Sequence, residues 1–220
     1  MTMIKATYID HMGSDYTVAD AARVSFNKVA DNYSTEANDR LIKYLAKHKH
    51  ISPFGHCFAS FHVRAPIFVA RQLVKHKFLR WNEISRRYVD DEPEFYTPDV
   101  WRGRSADKKQ GSSDAPVEFL RMQGFGEQSV NDGSFKHQIH SLDLYRDMIT
   151  AGVAPEQARM VLPQSTMTEF YWSGSLDAFA SMCQLRCKPD TQYESRLVAD
   201  QISEKMQELF PVSWSCLMET

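Results

Sequence analysis

The residues best equipped for chemistry lie in one run, Lys75-His76-Lys77-Phe78-Leu79-Arg80-Trp81-Asn82-Glu83-Ile84-Ser85-Arg86-Arg87-Tyr88, which holds five cations, a histidine, a serine and a glutamate. Lysine ammoniums and arginine forks hold phosphates, a hydroxyl donates a hydrogen bond, and a carboxylate pins a ribose hydroxyl or a neighbouring arginine. On its own residues the run suits an anionic ligand, and it equally suits a solvated basic turn. The net charge of −2 over 220 residues provides no bulk positive field. An anion must therefore be held by a local cluster, and where Lys and Arg sit matters more than how many there are.

Other constellations are weaker. His48, His50 and His56 are close in sequence, but no acidic partner falls at a helical spacing among them and Pro53 interrupts the segment, so no metal site is expected. Ser85 has no Ser-His-Asp arrangement visible in a single sequence, and it reads as a donor to a phosphate or a pyrimidine. Neither GxGxxG nor GxxxxGK(S/T) occurs, so neither a Rossmann site nor a P-loop is indicated. Cys57, Cys183, Cys187 and Cys216 form no CxxC pair, which gives no disulfide framework or structural zinc, and Cys183 and Cys187 read as small core residues. Phe170-Tyr171-Trp172 and Phe95-Tyr96 read as sheet packing rather than as stacking platforms for bases.

The elements that must position these residues follow from periodicity. Apolar residues at three- and four-residue intervals predict helices over 17–26 and 35–48, the second capped by Ser34 or Thr35. β-formers on both faces predict a buried strand over 57–63. Pro66 opens a helix over 67–77, with Lys75 four residues beyond Arg71 on one face. The polar stretch 102–116, with Gly103, Gly111, Ser112, Ser113 and the Lys108-Lys109 pair, predicts a surface loop. A helix over 134–150 ends at Gly152, and another starts behind Pro155. A strand over 164–172 precedes two closing helices, 175–185 and 191–210, with Ser175 and Thr191 as N-caps and Pro211 just past the second. No apolar run approaches the roughly 18–20 residues of a membrane span, and the first ten residues lack a charged start followed by an apolar stretch, so a cytoplasmic protein is expected.

The cationic run also has a specific spacing: Lys75-His76-Lys77, seven residues, then Ser85-Arg86-Arg87. It resembles the motif of flavin-dependent thymidylate synthases, Arg-His-Arg, seven residues, Ser, any residue, Arg, with two arginines replaced by lysines that keep charge and lose the planar fork. His50-Ile51-Ser52-Pro53-Phe54-Gly55-His56 is similar to the family segment that borders flavin and folate, with Gly55 in place of the usual Glu. Ala65 to Gln72, Ala158-Arg159-Met160-Val161-Leu162-Pro163 and Gln184-Leu185-Arg186 resemble further family segments, so the likeness runs from about His48 to Arg186.

The resemblance implies an α+β fold over residues 1–220 as one domain, with a largely antiparallel sheet flanked by helices. It implies a homotetramer whose active sites are shared between subunits. It places dUMP against Gln72, Lys75, Glu83, Ser85, Arg86, Arg87, Arg159 and Arg186, the last as the residue that activates the pyrimidine. It places FAD along Ser52, Lys75, His76, Lys77 and Glu83, with the adenine end near Ser175, Asp177 and Ser181, and His50 in the flavin or folate vicinity. The family commonly has Asn and Arg where this chain has Ser175 and Asp177. NADPH and methylenetetrahydrofolate enter as co-substrates, and no metal is implied. Two other readings stay open on the residues: a related flavin enzyme acting on another pyrimidine nucleotide, and a nucleic-acid-binding module using the Lys75–Arg87 cluster.

Overall fold

Side-chain alternation decides the sheet. In the computed structural model, which describes residues 4–88, 91–106, 111–124 and 126–219, strand β1 (Lys5–Met12) is followed by helices α1 (Asp15–Arg23) and α2 (Thr35–Lys47), then by β2 (Phe58–Pro66), α3 (Ile67–Leu73) and β3 (Arg80–Glu83). Two short ribbons come next, β4 (Arg102–Arg104) with β5 (Ser112–Pro116), and β6 (Phe119–Met122) with β7 (Gly126–Ser129). Helices α4 (Val130–Thr150) and α5 (Pro155–Ala158) lead to β8 (Met167–Ser175), and α6 (Leu176–Arg186), α7 (Tyr193–Leu209) and α8 (Pro211–Met218) close the chain.

The main sheet has the order β1-β2-β8-β3 and is antiparallel throughout, with Phe58 opposite Ser175 and Pro66 opposite Met167 along its centre. Ala59, Phe61, Val63 and Ala65 of β2, and Phe170 and Trp172 of β8, face the core. Phe179 of α6 meets Phe61 at 5.3 Å and Trp172 at 5.8 Å between ring centroids, both edge to face. The opposite face is polar, with Glu169 pairing His62 at 3.1 Å and Arg64 at 3.2 Å. A sheet with one packed and one polar face is the expected antiparallel arrangement. Truncating Phe61 or Trp172 to Ala would cost about 3–5 kcal/mol, because neither cavity can collapse in so crowded a layer. α6 and α7 cover the apolar face, and α8 packs on both. The first amides of α8, at Val212 and Ser213, donate to the Asp15 carboxylate at 2.8 Å each, which ties the last helix to the first.

Several expected elements shift. The helix over 17–26 starts at Asp15 and tightens into a 3-10 turn at Val24–Phe26, and the one over 134–150 starts at Val130, where Ser129 accepts from the Asp132 amide at 3.4 Å. The two strands lie about three residues C-terminal of their expected ends. The stretch 102–116 is no plain loop: its ends pair as the β4–β5 ribbon, whose polar side chains carry no apolar alternation, while Lys108-Lys109 lies outside the described residues. Helix α3 stops at Leu73, so Arg71 and Lys75 do not share a helical face. The chain instead makes two turns, His76 N–H to Leu73 C=O at 3.1 Å and Leu79 N–H to His76 C=O at 3.3 Å, to reach β3. Gly174 gives that path room, since a Cβ there would crowd the Leu79 side chain and lie 3.4 Å from the Phe78 carbonyl and 3.5 Å from Leu79 Cα. Ser34 and Ser175 sit at the expected N-cap positions, but Gln192 rather than Thr191 holds the N-cap position of α7, without a side-chain cap bond. Thr191 donates its hydroxyl to Leu185 C=O at 3.0 Å and closes the end of α6. Among the described residues, no helix is long and apolar enough to cross a membrane.

Candidate active site

The C-terminal turns of α3 and α6 and the first turn of α7 meet beside the sheet, and there they assemble a polar cluster. Arg186, in the last turn of α6, donates from Nε to His76 Nε2 at 3.1 Å and from Nη1 to Gln72 Oε1 at 3.4 Å. Ser195 Oγ also donates to Gln72 Oε1, at 3.0 Å, and Gln72 Nε2 donates to Gln192 Oε1. Gln192 Nε2 reaches Glu194 Oε2 at 3.3 Å, and Glu194 Oε1 accepts from Arg102 of β4. His76 can accept from a guanidinium only while that nitrogen is unprotonated. Burial, and secondly the Arg186 charge, hold its pKa below the usual histidine range, which favours the accepting form. Burial also lowers Arg186, though a guanidinium stays charged at neutral pH.

This cluster opens on a cleft of about 990 Å³, whose walls include Phe68, Tyr96 and Trp101 as well as Gln72, Arg102 and Arg186. An isolated bridge of Phe95 to Thr166 places its neighbour Tyr96, which is buried and also lines the cleft. Phe170 and Trp172 are core, while Tyr171 is half exposed on the polar face.

A second group lies at the far end of β3. Glu83 accepts from Thr168 Oγ1 at 2.7 Å and from Trp81 Nε1 at 3.2 Å, fixing its carboxylate at the sheet edge. The turn after it is closed by Ser85, whose Oγ accepts from the Arg87 amide at 3.3 Å. Arg87 pairs with Glu156 at 3.5 Å, and Arg159 Nε donates to the Glu156 carbonyl at 3.2 Å, so these two arginines are neighbours through one residue. Arg86 turns away and donates to Asp91 C=O at 2.8 Å.

A third group gathers where β8 runs into α6. A Cβ on Gly55, in the 3-10 turn Ser52–His56, would lie 3.8 Å from Asp177 Oδ1, and the Phe78 carbonyl lies 3.4 Å from a Cβ built on Gly174. The turn bearing Ser52, the turn bearing Lys75 and Lys77, and the Ser175 end of α6 therefore adjoin. Lys75 and Lys77 are exposed and make no ion pair among the described residues, and Ser175 makes no side-chain cap. Asp177 Oδ1 is buried with no hydrogen-bond partner among the described residues, whereas Ser181 donates to the Asp177 carbonyl at 2.9 Å. His50 is exposed and packs against Tyr44 and His48.

Sequence reasoning missed Arg102, Gln192, Glu194, Ser195, Thr168 and Glu156. One signal was available. The inward stripe of α7 runs Glu194, Ser195, Val198, Ala199, Ile202, Met206, so two polar residues occupy the start of an apolar face. A buried carboxylate in such a place needs partners.

A guanidinium held at the wall of an aromatic-lined cleft, in an α+β frame with no strand–glycine turn–helix unit among the described residues, has the make-up of a small-molecule binding site. The family model described as Thymidylate synthase complementing protein matches residues 7–212. A flavin-dependent thymidylate synthase of Thermus thermophilus is 38% identical over 216 residues, covering 96% of this chain and 74% of the relative, and that of Thermosipho africanus is 35% identical, covering 96% and 89%. The crystal structure of a UMP/dUMP methylase, PolB from Streptomyces cacaoi bound with 5-Br dUMP, superposes with a TM-score of 0.83 at 28% identity, covering 99% of this chain and 96% of that one. The chain belongs to the flavin-dependent thymidylate synthase family.

Proposed function

We propose that this protein is an enzyme that methylates dUMP to dTMP, with FAD as cofactor, methylenetetrahydrofolate as carbon donor and NADPH as reductant. The observation that carries the reading is Arg186. His76 and Gln72 take two of its five N–H donors, which holds the guanidinium plane at the cleft wall and leaves three for a ligand. Such a fork stabilises negative charge that gathers on the N3 and O4 side of uracil as C5 becomes nucleophilic. Gln72 and Arg186 form the pyrimidine end, and Glu83, Ser85, Arg87 and Arg159 form a second binding group, with Arg86 contributing main-chain groups and Lys75 its charge. No protein nucleophile is needed, so Ser85 serves as a hydrogen-bond donor.

The residues near the β8–α6 junction fit FAD. Two unpaired ammonium groups, the uncapped Ser175 hydroxyl and the Ser52 turn suit its diphosphate, and the orphaned Asp177 oxygen suits a hydroxyl or amine donor at its adenosine end. His76, Lys77, Glu83 and Ser181 complete that surface, and His50 lies toward the flavin or folate. Bound there, FAD would supply the redox chemistry, and the protein's part is to orient the uracil and polarise it.

The candidate residues fall into three groups, and Phe78, Tyr88 and Met160 near them are more than three-quarters exposed. These exposed apolar side chains support a homotetramer in which one subunit's groups complete another's site; residues 1–220 as one domain and a cytoplasmic location belong to the same proposal. A second reading is favoured by the PolB neighbour, also solved with 5-Br UMP at a TM-score of 0.78: a flavin enzyme that accepts another pyrimidine nucleotide, UMP. Titrating dUMP, UMP and dCMP into the purified protein, followed by the visible flavin bands, tests both. Perturbation by dUMP alone supports the first, equal perturbation by UMP the second, and a protein that binds no flavin neither.

A further inference from the structure

We propose that Gln192 and Glu194 are positioning residues for Arg186, acting through Gln72 as a relay of fixed hydrogen-bond direction that Arg102 anchors to the β4–β5 ribbon. The inference rests on the function proposed above and adds residues to it.

Hydrogen-bond polarity fixes the arrangement. A glutamine amide has the same shape whichever way it points, so its direction is set by its partners. At one end of the relay stands Arg186, which only donates. At the other stands the Glu194 carboxylate, which only accepts, with Arg102 on its second oxygen. Two amides between a donor-only and an acceptor-only end must point the same way. Gln192 turns its NH2 to Glu194 and its oxygen to Gln72, and Gln72 turns its NH2 to Gln192 and its oxygen to Arg186 and Ser195. Reversing either amide would set an NH2 against the guanidinium or leave a carboxylate oxygen unmatched. Glu194 is buried, with 7% of its side chain accessible, so water cannot easily replace a lost partner, and an unmatched group there is costly. Arg102 is held in turn by Ser112 Oγ at 3.0 Å and lies over the Tyr193 ring at 4.4 Å.

The plain alternative is a staple: the Glu194–Arg102 pair fastens the ribbon to α7 and Gln192 does nothing for Arg186. Gln192→Met separates the two, because it breaks the relay and leaves the ion pair intact. The relay predicts that kcat for dTMP formation falls about tenfold or more, with the KM for dUMP changed less and with NADPH oxidation by the flavin nearly unaffected. A second variant tests direction. Glu194→Gln makes the end of the relay ambiguous, whereas Glu194→Gln combined with Gln192→Glu restores an acceptor-only group one step nearer Gln72. The double variant should regain most of the rate that Glu194→Gln loses. A readout free of turnover is the titration of His76 by NMR, since a loosened Arg186 withdraws its charge and the His76 pKa should rise in Gln192→Met. Should the wild-type protein make no dTMP, the proposed function fails while the His76 titration still tests the relay. Wild-type kcat and an unmoved His76 titration in Gln192→Met, or a double variant no better than Glu194→Gln, would overturn it.

Discussion

Replacing Arg186 with Ala separates a catalytic arginine from a structural one by magnitude. Structurally the side chain contributes one sound hydrogen bond, to His76, and one near the limit of length, to Gln72. Gln72 Oε1 keeps its Ser195 donor when Arg186 goes, and burial of the cation already opposes its charge. Its charge at the end of α6 adds about 0.3–1 kcal/mol at most. Arg186→Ala should therefore lower stability by no more than about 2 kcal/mol. If the guanidinium meets the charge that develops on the pyrimidine, dTMP formation should fall about a hundredfold or more, or roughly 2.7 kcal/mol in the barrier. The assay follows single-turnover dTMP formation at saturating dUMP, next to NADPH oxidation in the flavin half-reaction and the melting temperature. Chemistry should collapse while flavin reduction and folding change little. Arg186→Lys should recover only part of the loss, because an ammonium cannot serve His76, Gln72 and the ligand in one plane. A variant that melts earlier but makes dTMP at near wild-type rate would refute the assignment.

Three further outcomes are expected. Restoring forks with Lys75→Arg and Lys77→Arg should keep activity and tighten FAD or dUMP about tenfold, and unchanged titrations for both ligands would remove these residues from the anion site. Ser85→Ala should weaken dUMP binding and leave measurable turnover, so complete inactivity at saturating dUMP with FAD bound would return a nucleophile to consideration. The His76 pKa lies below its unfolded value of about 6.5, so the unfolded chain takes up the proton first as pH falls, and native stability is lost from about pH 6.5 down through the folded pKa. His76→Gln should remove that component from the difference between the two stability–pH curves, and superimposable acid limbs would contradict it.

Legibility in the sequence followed the physics of each element. The central strand β2 showed through its β-formers, although only the Ala59–Phe61–Val63–Ala65 face is buried and the expected second buried face is polar, and Ser34, Ser175 and Pro155 announced helix starts by their type. The β4–β5 ribbon did not show, because a two-stranded polar hairpin has no face to bury and no alternation to read. Helical rhythm continues past Leu73 to Lys75, whereas the tertiary demand of bringing β3 beside β8, over Gly174, ends the helix at Leu73. The cationic run stands out in the sequence, but its division into a Gln72–His76–Arg186 cluster and a Glu83–Arg87–Arg159 group depends on tertiary contacts such as Arg186 to His76 and Arg87 to Glu156. The Glu194–Arg102 pair joins residues 92 positions apart, and no local pattern announces such a contact.

On the proposed function the flavin, not a protein nucleophile or a folate hydride, completes the methyl group. This role is tested by incubating the purified protein with dUMP, methylenetetrahydrofolate and NADPH, with and without FAD, and identifying the folate product. The account predicts dTMP only when flavin is present, with tetrahydrofolate released alongside it. Formation of dTMP in flavin-free protein, or release of dihydrofolate in step with dTMP, would contradict it.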